Sequence, residues 1–121
     1  MDHEFIGLKP KSPAGRSIVF ASLDWWIEIN NCISMVCFHD FPAYPEMDDE
    51  AAVAVAETIE ERIAFGIVKA YFELSVARYQ KANGERYSKK SIAADVDQLL
   101  ALTKQYVDFL KNCGGCASAN N

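Results

Sequence analysis

MDDEAAVAVAETIEERIAFGIVKAYFELSVARYQKAN, residues 47–83, is the stretch on which the fold turns. Ala52, Val55, Ala56, Ile59 and Ile63 recur every three or four residues, which puts them on one face of a helix. Asp48 is placed to cap that helix, and Asp49 and Glu50 fall in its first turn, where the helix dipole favours carboxylates. Gly66 interrupts the pattern and reads as the cap that separates this helix from the next. In the second segment Ala70, Leu74 and Ala77 share one side, and Val68, Phe72, Val76 and Tyr79 another. An apolar surface that wide predicts a helix covered from two directions, ended by Asn83-Gly84 in a left-handed turn.

Toward the N-terminus, Ser22 can cap a helix whose first turn holds Asp24. Leu23, Trp26, Ile27, Ile33, Val36 and Cys37 form its stripe, diluted by Asn30, and Phe41-Pro42-Ala43-Tyr44-Pro45 stops it, since proline lacks a donor and restricts its predecessor. Ile18-Val19-Phe20 reads as a brief strand or the approach to that helix, and residues 1–16, with two prolines and two glycines, as an extended arm. Toward the C-terminus, Ser91 is the expected cap of a last helix with Ile92, Val96, Leu99, Thr103, Tyr106, Leu110 and Cys113 on its stripe. Gly114-Gly115 closes it, and residues 116–121 read as a mobile tail. The expected fold is mainly α: a small bundle or irregular array of three to four helices with one short strand near Ile18–Phe20, residues 17–115 making a single helical domain.

The 121 residues, half of them hydrophobic and about a quarter charged, suit one globular domain with a core that needs no disulfide or metal to form. No stretch reaches the roughly 18 uncharged apolar residues of a membrane span; the best candidate, Ile18–Phe38, is broken by Asp24, Glu28, Asn30 and Asn31. The acidic start Met1-Asp2-His3-Glu4 is unlike a signal peptide, so a cytoplasmic protein with reduced thiols is expected.

Charge is unevenly spread. Between Ser17 and Glu61 there are ten carboxylates and no Lys or Arg, whereas Arg62 to Lys104 holds eight basic residues against four acidic ones. Such halves either fold together or leave an acidic face. That face would repel nucleic acid and attract a basic partner.

Four constellations bear on chemistry. Cys32, Cys37, Cys113 and Cys116 are enough thiolates for a zinc ion, but the first pair lies in an apolar helix without a turn, and buried cysteine commonly packs as a small hydrophobe. Cys113-Gly-Gly-Cys116 has redox spacing, yet it follows a helix, whose C-terminal dipole is expected to raise a thiol pKa. Glu57, Glu60 and Glu61 lack the histidine of a di-metal helix and read as a solvated face, and adjacent His39 and Asp40 lack a nucleophile. Trp25 and Trp26 point about 100° apart on a helix: Trp26 fits the core, and Trp25 is either an edge packer or an interface anchor.

The run from Val19-Phe20 to Trp25-Trp26, the aliphatic helix ending at Phe65-Gly66, and Tyr106-Val-Asp-Phe-Leu-Lys-Asn-Cys-Gly-Gly115 together resemble a group of small uncharacterised phage and bacterial proteins, which join a Trp-rich segment to a closing helix ending in Phe-Leu and Cys-Gly-Gly. The resemblance implies a phage or mobile-element setting and assigns no activity. Zinc-binding cysteine pairs of its larger members have no counterpart here, as no cysteine stands between Cys37 and Cys113.

The expected function is a non-enzymatic protein-interaction factor, an inhibitor or accessory protein presenting an acidic surface through Trp25, Glu46, Asp48, Asp49 and Glu50 to a basic or nucleic-acid-binding protein. No catalytic residue or cofactor is expected, and no direct contact with nucleic acid or membrane. The alternative is a small zinc-stabilised module built on the four cysteines. The apolar breadth of residues 67–79 also makes self-association an expectation.

Overall fold

The computed structural model describes residues 2–82 and 88–119. It is mainly helical, with four helices against a small three-stranded antiparallel sheet. The strands are β1 (His3–Gly7), β2 (Ser17–Phe20) and β3 (Cys116–Ser118); the helices are α1 (Leu23–Val36), α2 (Asp49–Ala64), α3 (Ile67–Ala82) and α4 (Lys89–Asn112). A short 3₁₀ turn, Pro13–Gly15, separates β1 from β2.

The expected strand at Ile18–Phe20 is present, but its partner lies in the supposed arm. β1 is the central strand, pairing with β2 through Phe5–Ile18 and with β3 through Phe5–Ser118 and Gly7–Cys116. Alternation explains it: His3 and Phe5 face inward and are buried, while Ile6 stands outward. Over His3–Gly7 the supposed arm is therefore a strand, and over 116–118 the tail is no tail. The arm also completes α4, whose last carbonyls have no partner within the helix. Lys11 N–H donates to Asn112 O at 2.7 Å, and Lys9 N–H donates to Cys113 O at 3.1 Å.

The helices follow their signals. Ser22 caps α1, its Oγ accepting from Asp24 N–H at 3.1 Å, and Asp48 caps α2, accepting from Ala51 N–H at 2.8 Å. The stripe of α1 is rotated from the expected one: Trp26, Ile29, Asn30, Cys32 and Ile33 are buried, and Ile27 is exposed. Asn30 belongs inside because its Nδ2 donates to Pro42 O at 2.8 Å, just as Trp26 Nε1 donates to Ala43 O at 2.8 Å. The proline loop thus stops α1 and is held on it.

On α2, Ala52, Ala56 and Ile59 are buried as expected, and Gly66, with φ +79°, separates α2 from α3. The cap of α4 is Ser88, whose Oγ accepts from Ser91 N–H at 3.1 Å; Ser91 is the third helical residue, not the cap. Two-sided cover of α3 is not found. Val68, Phe72, Val76 and Gln80 make one buried stripe, and Leu74 is 62% exposed. The Asn83-Gly84 turn lies outside the described residues.

The core joins sheet and helices through aromatic rings. Phe5 and Phe20 meet Trp26 at centroid distances of 4.7 and 5.1 Å, and Trp26 meets Tyr106 at 5.3 Å. Edge-to-face pairs, as Trp26 makes with Phe5 and Tyr106, add roughly 0.5–1.5 kcal/mol each beyond the apolar area they bury. Ile59 and Leu99 complete the core from α2 and α4. None of the described helices is long and apolar enough to cross a membrane.

Candidate functional site

A groove of about 310 Å³ opens where α1, α3 and α4 meet. Helical spacing builds each wall: Asp24 and Glu28 lie one turn apart on α1 with Trp25 beside them, Ser75 and Tyr79 one turn apart on α3 with Val76 beside them, and Asp95 and Leu99 one turn apart on α4. Val76 and Leu99 are buried, so the groove has an apolar floor, and Trp25 and Tyr79 supply aromatic surface to it.

Two of its carboxylates, Glu28 and Asp95, are held by neutral donors. Ser75 Oγ donates to Glu28 Oε1, and the buried Gln80 donates from Nε2 to Asp95 Oδ2 at 3.0 Å. The salt bridges of the lysines and arginines lie elsewhere, with Lys11 on Asp49 at 2.7 Å, Lys111 on Glu60 at 2.7 Å and Arg62 on Glu61 at 2.9 Å. Three negative charges thus border one concavity with no cation among the described residues bonded to them. A mobile cation carrying an apolar stem matches that lining, with its charge at the carboxylates and its face or stem against the rings.

Of the sequence-predicted residues, Trp25 lies at this groove and is partly buried against the core. Glu46, Asp48, Asp49 and Glu50 do not line it. They surround the start of α2, where the Asp48 side chain is engaged as a cap and Asp49 is paired with Lys11. The acidic run is therefore partly neutralised, and the cations come from Lys11, Arg62 and Lys111 rather than from the basic stretch after residue 62 as a block. Tyr79, Glu28 and Asp95 are the residues that sequence reasoning missed as a group. The i, i+4 spacing of Asp24 and Glu28 was a local signal, but nothing in the chain announces that Asp95 joins them.

The cysteines fall into two pairs. Burial raises the Cys32 thiol, with Cys37 adding to the rise, and pushes Cys37 up to about 11. Cys113 and Cys116 are buried on either side of Gly114-Gly115, and Cys113 Sγ donates to Leu110 O at 3.4 Å. Among the described residues no three His, Cys, Asp or Glu side chains gather in a way that would hold a metal ion, so the four-cysteine zinc module is corrected: its ligands are not brought together.

The expectation that Cys113 is raised by its helix also fails. Interaction with the Cys116 thiol, with the Gly115 N–H adding to it, lowers Cys113 to about 7, and interaction with Cys113, with burial, drives Cys116 up. Local donors outweigh a dipole whose effect fades within one turn. His39 and Asp40 pair at 3.2 Å in full solvent, 95% and 87% exposed, with no nucleophile between them.

No family model matches the chain, and no curated protein and no solved structure is similar to it at a significant level.

Proposed function

We propose that this chain is a protein-interaction factor that receives a lysine or arginine side chain of a basic partner in the groove between α1, α3 and α4. The observation that supports it is the grouping of Asp24, Glu28 and Asp95, without a cationic partner among the described residues, around an apolar floor edged by Trp25 and Tyr79. The acidic start of α2 adds long-range attraction without lining the groove. An inhibitor or accessory role toward a nucleic-acid-binding protein, in a phage or mobile-element setting, belongs to the same proposal.

The test uses the fluorescence of Trp25, since Trp26 is sealed in the core and changes little. A short arginine- and lysine-rich peptide titrated into the full chain is expected to shift the emission and to bind more weakly as salt rises. Glu28→Gln combined with Asp95→Asn should weaken binding roughly tenfold, by removing two contacts of about 0.5–1 kcal/mol each. Binding untouched by both the double substitution and Trp25→Ala would place the contact elsewhere and overturn the proposal.

A further inference from the structure

The groove between α1, α3 and α4 carries its charge on two walls. Asp24 and Glu28 stand on α1 and Asp95 on α4, above the apolar floor of Val76 and Leu99. Glu28 and Asp95 are half-buried and oriented by Ser75 Oγ and Gln80 Nε2, neutral donors that fix a carboxylate without cancelling its charge. The three carboxylates do not converge: among the described residues no three acidic, His or Cys side chains gather closely enough to hold one metal ion. Gln80 gives a second, independent observation. Its side chain is 1% exposed, its Nε2 lies 3.0 Å from Asp95 Oδ2, and the Oε1 of the same amide has no hydrogen-bond partner among the described residues. A buried acceptor without a donor is costly, and folded proteins rarely leave one. An ammonium held at Asp95 has donors enough for the carboxylate and for that oxygen. A single lysine or arginine head, however, meets one wall and leaves the charge of the other unmatched.

We infer that the groove is a binding site for a linear aliphatic diamine or polyamine. One ammonium sits at Asp24 and Glu28, the other at Asp95 and Gln80 Oε1, and the methylene stem lies over Val76 and Leu99. The inference rests on the reading of this groove as a cation site, and it names a free small ligand that occupies the groove in competition with the side chain of a basic partner. Each part of such a ligand has a counterpart in the lining. The stem removes apolar area of the floor from water, and the rings of Trp25 and Tyr79 attract a cation beside them. Separation of the charges selects length: a compact dication cannot touch carboxylates on both walls, whereas a chain with an ammonium at each end can. The groove volume of about 310 Å³ is at the small end of the roughly 300–1,000 Å³ usual for small-molecule sites, which suits a ligand of a few methylenes.

The full chain is titrated by calorimetry with 1-aminobutane, 1,4-diaminobutane and spermidine at constant ionic strength, and Trp25 fluorescence serves as the second readout. The diamine is expected to bind at least about fivefold more tightly than the monoamine, the effect of one further ion pair, and spermidine at least as tightly as the diamine. Magnesium chloride at matched ionic strength should not displace the diamine, because it has charge without a stem. Asp95→Asn keeps an oxygen that accepts from Gln80 Nε2 and removes the charge of one wall. It should bring the diamine down to the affinity of the monoamine, and shift 1-aminobutane, which settles at the two carboxylates of α1, less than about twofold. Should that variant fail to fold, the wild-type comparison of the two amines decides alone. Equal affinity for 1-aminobutane and 1,4-diaminobutane, or magnesium displacing the diamine as well as spermidine does, would refute the inference. A basic peptide that binds while the diamine shows no such preference leaves the partner reading standing and sinks this one. Diamine binding by a chain that ignores the peptide does the opposite.

Discussion

Single residues separate two reasons for glycine. Gly66 has φ +79° and open space where a Cβ would lie, so its only demand is conformational. Gly114 has φ +64°, and a Cβ there would fall 2.0 Å from Lys9 O, a backbone atom that cannot swing aside. Gly66→Ala should therefore cost about 1–2 kcal/mol, the strain of one left-handed residue. Gly114→Ala should cost more than about 3 kcal/mol, because the N-terminal segment must leave the end of α4. Urea melts read both, and equal losses would mean that the Lys9–Cys113 junction carries no weight. Gly66 was legible from the sequence, since a lone glycine between two periodic segments has one ready explanation. The steric demand on Gly114 was not: it comes from Lys9, about a hundred residues away in the chain.

Elements were legible where their signals are local. The caps of α1 and α2 follow from Ser22 and Asp48, and the stripe of α4 from its spacing. Spacing alone does not separate Ser88 from Ser91, because both precede the same apolar run, and only the backbone decides which serine is extended; Ser88 is, with φ −142° and ψ 153°. Ser88→Ala should cost about 1 kcal/mol and Ser91→Ala less than about 0.5 kcal/mol. The reverse order in thermal melts would restore Ser91 as the cap. The same ambiguity misread α3. Two stripes were available, and the one with Phe72 faces the core, contributing roughly 1.5–3 kcal/mol by burial of that ring alone. Phe72→Ala should lose about 3–5 kcal/mol, and Leu74→Ala should stay within about 0.5 kcal/mol of the parent. Comparable losses at both positions would mean that α3 is covered from two sides after all. The groove shares the cause of that misreading: Asp24 and Glu28 are one turn apart and readable, but Asp95 joins them only through the packing of α4 on α3.

At the scale of the molecule, the sheet is what local patterns could not reveal, because β1 and β3 pair residues from opposite ends of the chain. Three-residue and five-residue strands carry little periodicity of their own, and Gly7 and Cys116 acquire a meaning only once they are paired. That closure seals His3 inside, stacked on Trp26 at 5.7 Å and flanked by Phe5 and Tyr44, with no hydrogen-bond partner at Nε2. Burial lowers its pKa from the ordinary 6.5, so the native state prefers the neutral ring. As pH falls through 6.5 the unfolded chain takes up a proton that the native chain still refuses. Stability due to this group is therefore complete above pH 6.5, declines as pH falls through it, and stops declining once pH is below the native value. Thermal melts of the wild type between pH 7.5 and 5 should show this loss. His3→Phe, which keeps a planar ring against Trp26 but cannot be protonated, should flatten the dependence over that interval apart from the shared carboxylate contribution. Equal slopes for the two chains would mean that His3 is protonated as readily inside as outside, and that the N-terminal strand opens to water far more often than its burial implies.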